Sequence, residues 1–335
     1  MMNQRTGSYL PVVLLLVFSF VVAVPAVAQD RPSERVSPPP QCNPDAVVWR
    51  TPEPPENPQK GDIWVNPKDG MEMVYIAAGE SVMGTSDNEV ERWLADHPET
   101  EDWQSNSFVA EQPQLRVSLA GYWMSRTEVT NAQYLRFVNA TRHGAPAYWK
   151  DGQVPAGLED YPVVAVSWDD ARAYCEWTKG QLPTEAEWEK AARGGDDRTY
   201  PWGFHWDRHR CRNLGLVVGR ILADGADWSS AMIEWMKAHD PIRDGLAEVG
   251  SCVGDTSSYG CFDMAGNAWE WCAEWYDAGA YERYARNALG PPQIGEDRVL
   301  RGGAWGWGLP WSFRCASRCG YDANAGWDHL MNLLN

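Results

Sequence analysis

From Asp62 onward apolar residues recur often enough to specify regular elements, and their spacing changes along the chain. Met73 to Ile76, the turn Ala78-Gly79-Glu80 and Val82-Met83 predict a short strand, a turn and a second short strand. Leu115 to Leu119 alternates and runs into Gly121-Tyr-Trp-Met124, which predicts a further strand pair. The period then lengthens. Thr130-Asn-Ala-Gln133 is a capping box opening a helix with Tyr134, Phe137 and Val138 on one face. Val163 to Val166 is a candidate buried strand, after which Ser167-Trp-Asp-Asp170 caps a second helix through Trp177. Thr184-Glu-Ala-Glu187, just behind Pro183, opens a third helix that carries Trp188, Ala191 and Ala192. Gly194-Gly195 ends it, because glycine accepts the left-handed backbone of a helix exit. Beyond that point, loop and short strand are expected through Tyr200-Pro-Trp-Gly203 and on to Arg301-Gly-Gly-Ala304. Three short helices among scattered short strands predict an irregular α+β domain.

The start of the chain has a different character. Arg5 precedes an apolar run from Val12 to Val24, and Ala26-Val27-Ala28 supplies small residues for a peptidase, so residues 1–28 read as a secretory leader. Residues 29–66 read as a Pro-rich linker, with P-P-P at 38–40 and P-E-P-P at 52–55. Residues 67–335 remain for one domain, enough for a sizeable core. The formal charge is -17, and loss of the leader removes Arg5 and no acid, giving -18. Such a balance disfavours nucleic acid and anionic membranes as partners, and no later stretch is apolar enough to span a bilayer. Eight cysteines in an exported chain point to disulfides, and Cys252 and Cys261 bracket a polar turn that a bridge would close.

Candidate chemistry centres on Phe262 to Trp271, F-D-M-A-G-N-A-W-E-W. Asp263 and Glu270 flank a Gly-Asn turn that can aim both carboxylates and intervening carbonyls at one point, as a hard cation requires. Two acids of an ordinary solvated turn would give the same pattern. His205, Asp207 and His209 lack a third convergent ligand and a helical context, so a solvated loop is expected there. Neither a G-x-S-x-G elbow nor a P-loop occurs. Twenty tryptophans are an unusual load, most of them destined for the core.

The order of motifs resembles a known family. M-V-Y-I-A-A-G-E, R-T-E-V-T-N-A-Q-Y, P-V-V-A-V-S-W-D-D-A, L-P-T-E-A-E-W-E-K-A-A-R-G-G, Y-P-W-G, F-D-M-A-G-N-A-W-E-W and V-L-R-G-G-A-W follow one another as in the formylglycine-generating enzymes, or sulfatase-modifying factors. The resemblance covers about Pro67 to Cys319 and implies that family's α+β fold, distantly like C-type lectins, with bound calcium. It implies one calcium held by the side chains of Asp263 and Glu270 and the carbonyls of Gly266 and Ala268. A second calcium would fall on Asn213, Leu214, Asp244 and Leu246, although Val217 to Arg243 diverges from the family pattern. The family's substrate groove would be lined by Arg301, Trp305, Trp307, Trp311 and Arg314.

The chemistry departs from the prototype. Those enzymes convert a sulfatase cysteine to formylglycine with oxygen and a copper(I) ion held by two cysteines, and soft thiolates are what copper(I) requires. Here Trp307 and Pro310 stand at the two cysteine positions and Ala304 replaces the serine of the Gly-Gly-Ser motif, so copper is not expected. Cys315 matches a structural cysteine whose usual partner position is Ala192, and Cys175 matches one that pairs with a terminal strand. That strand would begin near Leu333-Leu334-Asn335, so a shortened C-terminus is expected. The expectation is an exported binding or accessory module for a peptide, protein or glycan ligand. The alternative is an oxidoreductase of the same superfamily acting on another substrate.

Overall fold

The three predicted capping boxes all form. Thr130 and Gln133 cap the helix Asn131–Thr141, Ser167 and Asp170 cap Trp168–Thr178, and Thr184 and Glu187 cap Glu185–Arg193, each side chain bonding the other's main-chain amide. Gly194 ends the third helix at positive φ. The structure is a computed structural model that describes residues 18–26, 35–36, 48–97, 107–286 and 291–324. Cys42, Pro38 to Pro40, the expected cleavage point after Ala28 and Leu333 to Asn335 lie outside those residues.

Twelve strands, β1 Phe18–Ser19, β2 Ala23–Pro25, β3 Arg35–Val36, β4 Val48–Trp49, β5 Ile63–Val65, β6 Glu72–Ile76, β7 Gly79–Met83, β8 Leu115–Leu119, β9 Tyr122–Ser125, β10 Trp269–Trp275, β11 Asp297–Arg301 and β12 Cys319–Asp322, form three sheets among the described residues. The largest has the order β2-β9-β6-β5-β4-β3, the second β1-β10-β11-β12, and β7 pairs with β8 alone. The fold is therefore α+β with short elements, as expected, but the pairing differs from the sequence reading. β6 does not fold back on β7; it lies between β5 and β9, with Val74 opposite both Ile63 and Met124. β7 instead pairs with β8, Ser81 opposite Val117. The deciding factor is which face each strand can bury: β6 and β9 bury most of their residues, whereas β8 buries none fully.

Other differences have similar causes. The stretch read as a linker contributes β3, β4 and β5, with the buried Ile63 and Trp64 pairing β5 to β6 and the buried Val48 pairing β4 to β5. Val163 to Val166 is buried but not a strand: Val163 bonds the Val129 carbonyl and Ala165 sits at φ +55°. Four α-helices among the described residues were not foreseen, the short Leu214–Val217 and Ala280–Ala285 and two longer ones. Asp87–Asp96 is capped by Ser86 and Glu89 and buries no residue fully, and its short stripe of Val90, Trp93 and Leu94 was not read as a helix. Gly225–Met236, capped by Asp224, falls in the divergent segment read as loop.

The apolar N-terminal run also enters the body. β1 runs parallel to β10 and β2 antiparallel to β9, with Phe20, Val21 and Val22 fully buried between them. Phe20 packs edge-on to Tyr174 at 5.1 Å, beside the stacked pair Tyr134 and Tyr174. Among the described residues, no helix is long and apolar enough to cross a membrane.

Candidate functional site

The Phe262–Trp271 stretch turns sharply at the edge of β10. Asp263, Gly266 and Asn267 all have positive φ, and a Cβ on Gly266 would sit 2.3 Å from the Arg212 carbonyl, so only glycine fits against that chain. The Gly250 amide donates to Asp263 Oδ2 at 2.5 Å, and the Asp263 amide donates to Asp255 Oδ2 at 3.1 Å. On β10, Glu270 Oε2 accepts from Trp188 Nε1, while Glu270 Oε1 is buried without a partner.

Sequence reasoning missed two members of this cluster. Glu128, just ahead of the first capping box, and Asp255, inside the Cys252–Cys261 turn, are fully buried acids whose side chains lie with Asp263. Glu128 Oε1 and Asp255 Oδ1 also lack partners, and Asn267 Nδ2 donates to Glu128 Oε2 at 3.5 Å. Burial pushes all four carboxyls up, with repulsion from neighbouring acids adding to it at Glu128, Asp255 and Glu270; the Glu270 pKa rises to about 8. None of the four makes an ion pair among the described residues. Such a charge set is stable only if it holds protons or a cation. Among the described residues no three His, Cys, Asp or Glu side chains form a metal-holding group. A cation here would therefore join Asp263 and Glu270 to main-chain carbonyls, which the turn through Gly266 and Ala268 can present.

The expected groove is filled. Trp305 and Trp307 are buried, and the unforeseen helix Gly225–Met236 covers them: Trp228 stacks on Trp307 at 5.1 Å, and Trp235 meets Trp305 at 4.8 Å. Trp228 Nε1 donates to the Gly306 carbonyl at 2.8 Å. Trp311 is half-buried, with its ring 5.8 Å from Trp307. The two arginines assigned to the groove are structural. Arg301 is fully buried and bonds Glu189 and Tyr281, and Arg314 forms a bidentate pair with Glu111 at 2.6 and 2.8 Å. Arg318, also buried, pairs with Glu185 at the start of the third helix. Ion pairs this deep cannot be told from surface charges in a sequence, because both look polar.

The residues of the second expected calcium make several bonds within the chain. Asn213 Oδ1 caps a helical turn by accepting from the Leu216 amide, and Asn213 Nδ2 donates to the Arg208 and Cys211 carbonyls. The Leu214 amide donates to the Trp307 carbonyl at 2.7 Å, and Leu246 is buried. Asp244 Oδ2 accepts from the Asp240 amide, and the Arg212 guanidinium binds the Asp244 and Gly245 carbonyls. The expected Cys252–Cys261 bridge is not made either, since all seven described cysteines are free. Cys252 turns to the Arg212 amide and Cys261 to the Ser257 hydroxyl, which carries the two sulfurs to different neighbours.

A turn of buried carboxylates on a central strand, three capped helices and the Gly-Gly exit of β11 define a domain of formylglycine-generating type. The chain belongs to that family: the description "Sulfatase-modifying factor enzyme 1-like domain" matches residues 59–330. It is similar to the formylglycine-generating enzyme of Thermomonospora curvata, 33% identical over 245 residues, covering 58% of this chain and 74% of that protein. It is also similar to the inactive Cα-formylglycine-generating enzyme 2 of Bos taurus, 36% identical over 164 residues, covering 48% of this chain and 44% of that protein. Among solved structures, PvdO of Pseudomonas aeruginosa shares the fold, with a TM-score of 0.56, 21% identity, and 81% of this chain and 95% of that chain covered.

Proposed function

We propose that this protein is an exported, calcium-stabilised binding or accessory domain of the sulfatase-modifying factor family, without cysteine-to-formylglycine oxidase activity. The observation that carries the reading is the stack of Trp228 on Trp307, at the position where the family's first copper cysteine would stand. An indole there and a pyrrolidine at Pro310 offer no soft sulfur. The nearest later thiols, Cys315 and Cys319, support the same reading. Both are free in the structure, and burial pushes both thiols up to about 12.

Calcium is supported by the chemistry of the donor set. Asp263 and Glu270 are hard oxygen donors, Glu270 Oε1 is buried without a partner, and no cationic side chain serves either residue among those described. When bound, calcium would neutralise this pair and fix the Asp263–Glu270 turn against β10. Export is supported by Arg5, the apolar run and Ala26-Val27-Ala28.

The deciding experiment incubates the purified protein with a sulfatase-type cysteine peptide, copper(I) and oxygen, and follows the peptide by mass spectrometry. The peptide is expected to remain a thiol. Formation of the aldehyde would end the non-oxidase reading.

A further inference from the structure

The residues between Cys211 and Cys252 include the helix Gly225–Met236, which covers Trp305 and Trp307, and the two ends of this segment meet at one place. A Cβ on Gly254 would lie 3.1 Å from the Arg210 Cα, which puts the two Cα atoms within about 5 Å of each other. Arg210 Nη1 donates to the Gly254 carbonyl at 3.3 Å. Further along, the Arg212 amide donates to the Cys252 sulfur. Gly254 thus lies against Arg210 and Cys252 against Arg212, so the segments pass in opposite directions and Cys211 and Cys252 stand obliquely across the contact.

That arrangement suits a disulfide, which joins Cα atoms about 4.4–6.8 Å apart. The Cys211 sulfur has a weak contact to give up, accepting from Asn213 Nδ2 at 3.6 Å. Burial holds the Cys211 thiol above its ordinary range, and Asp255 and Cys252 lie close enough to add to that rise. The same contact backs the carboxylate turn: the Arg212 carbonyl accepts from the Asn267 amide at 3.0 Å, and Asp255 accepts from the Asp263 amide.

We propose that Cys211 and Cys252 form a disulfide that closes the 212–251 segment at its base and holds the groove-covering helix in place. Cys252, half-buried, is the more accessible thiol, and Cys211 is fully buried. As a thiolate, Cys252 attacks glutathione disulfide and releases one glutathione thiol. The Cys211 sulfur then displaces the second glutathione from the mixed disulfide. The two cysteines lose two protons and two electrons, and the oxidant takes them up as two thiols. Because Cys211 is sealed in the folded chain, the second step belongs to folding, before the segment packs. An exported chain meets such an oxidant in its compartment. The test supplies the oxidant directly, so its failure counts against the pairing and leaves the export reading untouched.

The full chain is synthesised in a cell-free reaction containing glutathione disulfide, and remaining thiols are blocked with iodoacetamide. Chymotryptic cleavage after Tyr259 separates Cys252 from Cys261, and the digest is read by mass spectrometry without reduction. A peptide pair joining Cys211 to Cys252 is expected. Closing a loop of this length should raise the melting temperature by about 5–10 °C, so reduction should lower it by that amount in the parent and by less in Cys252→Ser. The serine oxygen still accepts from the Arg212 amide. Alkylation of both thiols, a bond from either one to another cysteine, or an equal loss on reduction in the parent and in Cys252→Ser overturns the proposal.

Discussion

The segment Phe18 to Pro25 is pulled two ways, since the same residues read as the apolar run of a leader and lie in the core as β1 and β2. Deleting residues 1–28 would remove the side chains of Phe20, Val21, Val22 and Val24, all buried. Full burial of a Val or Phe is worth about 1.5–3 kcal/mol, so these four together contribute roughly 6–12 kcal/mol of transfer free energy, an upper bound set by the extended reference chain. Hydrogen bonds are lost with them. The Val129 and Ser125 amides donate to the Phe20 and Val22 carbonyls at 3.0 and 2.8 Å, and Ala23 exchanges two bonds with Gln181. A whole domain is stable by only about 5–15 kcal/mol, so the deletion should remove most of the margin. We expect the 29–335 chain to melt at least about 10 °C below the full chain by circular dichroism. Phe20→Ala in the full chain, costing about 3–5 kcal/mol, provides the same test where the deletion does not fold. Equal melting temperatures for the deletion and the full chain would refute the argument and show that the body is complete without β1 and β2.

Three further outcomes follow from the same geometry. Chelating calcium should lower the melting temperature, and Glu270→Gln should abolish that sensitivity; an unchanged melt of the parent protein in chelator removes the cation from the Asp263–Glu270 turn. Trp228→Ala should cost about 3–5 kcal/mol in urea unfolding through the cavity left over Trp307, without producing aldehyde on a cysteine peptide. Glu274, buried beside Glu185 and Glu187 and bonded to the Glu185 amide, has its pKa raised mainly by burial, from 4.5 to about 8. The folded chain then holds a proton there that the unfolded chain has released between those values. Stability should therefore fall as pH climbs through that window, by up to about 1.4 kcal/mol per unit, and Glu274→Gln should flatten the fall. A slope unaltered by that substitution would assign the titration to another group.

What the sequence determined by itself is local or ordered along the chain. The capping boxes at Thr130, Ser167 and Thr184 needed only residues three apart, and each helix began where its box placed it. The succession of motifs carried the family, and the residues at the two expected cysteine positions could be read by counting to Trp307 from the Gly-Gly pair and back to Pro310 from Cys315. Tertiary structure decided the rest. Whether β6 pairs with β7 or with β5 and β9 depends on which faces can be covered, and no local spacing encodes that choice. Glu128 joined Asp263 only when segments far apart in sequence closed on one another, Asp255 reached it from the neighbouring Cys252–Cys261 turn, and Arg301 became a buried ion-pair partner instead of a groove residue through contacts across the fold. Burial makes a carboxylate or guanidinium behave differently from the same group in water, and burial is a property of the packed chain, which no residue carries alone.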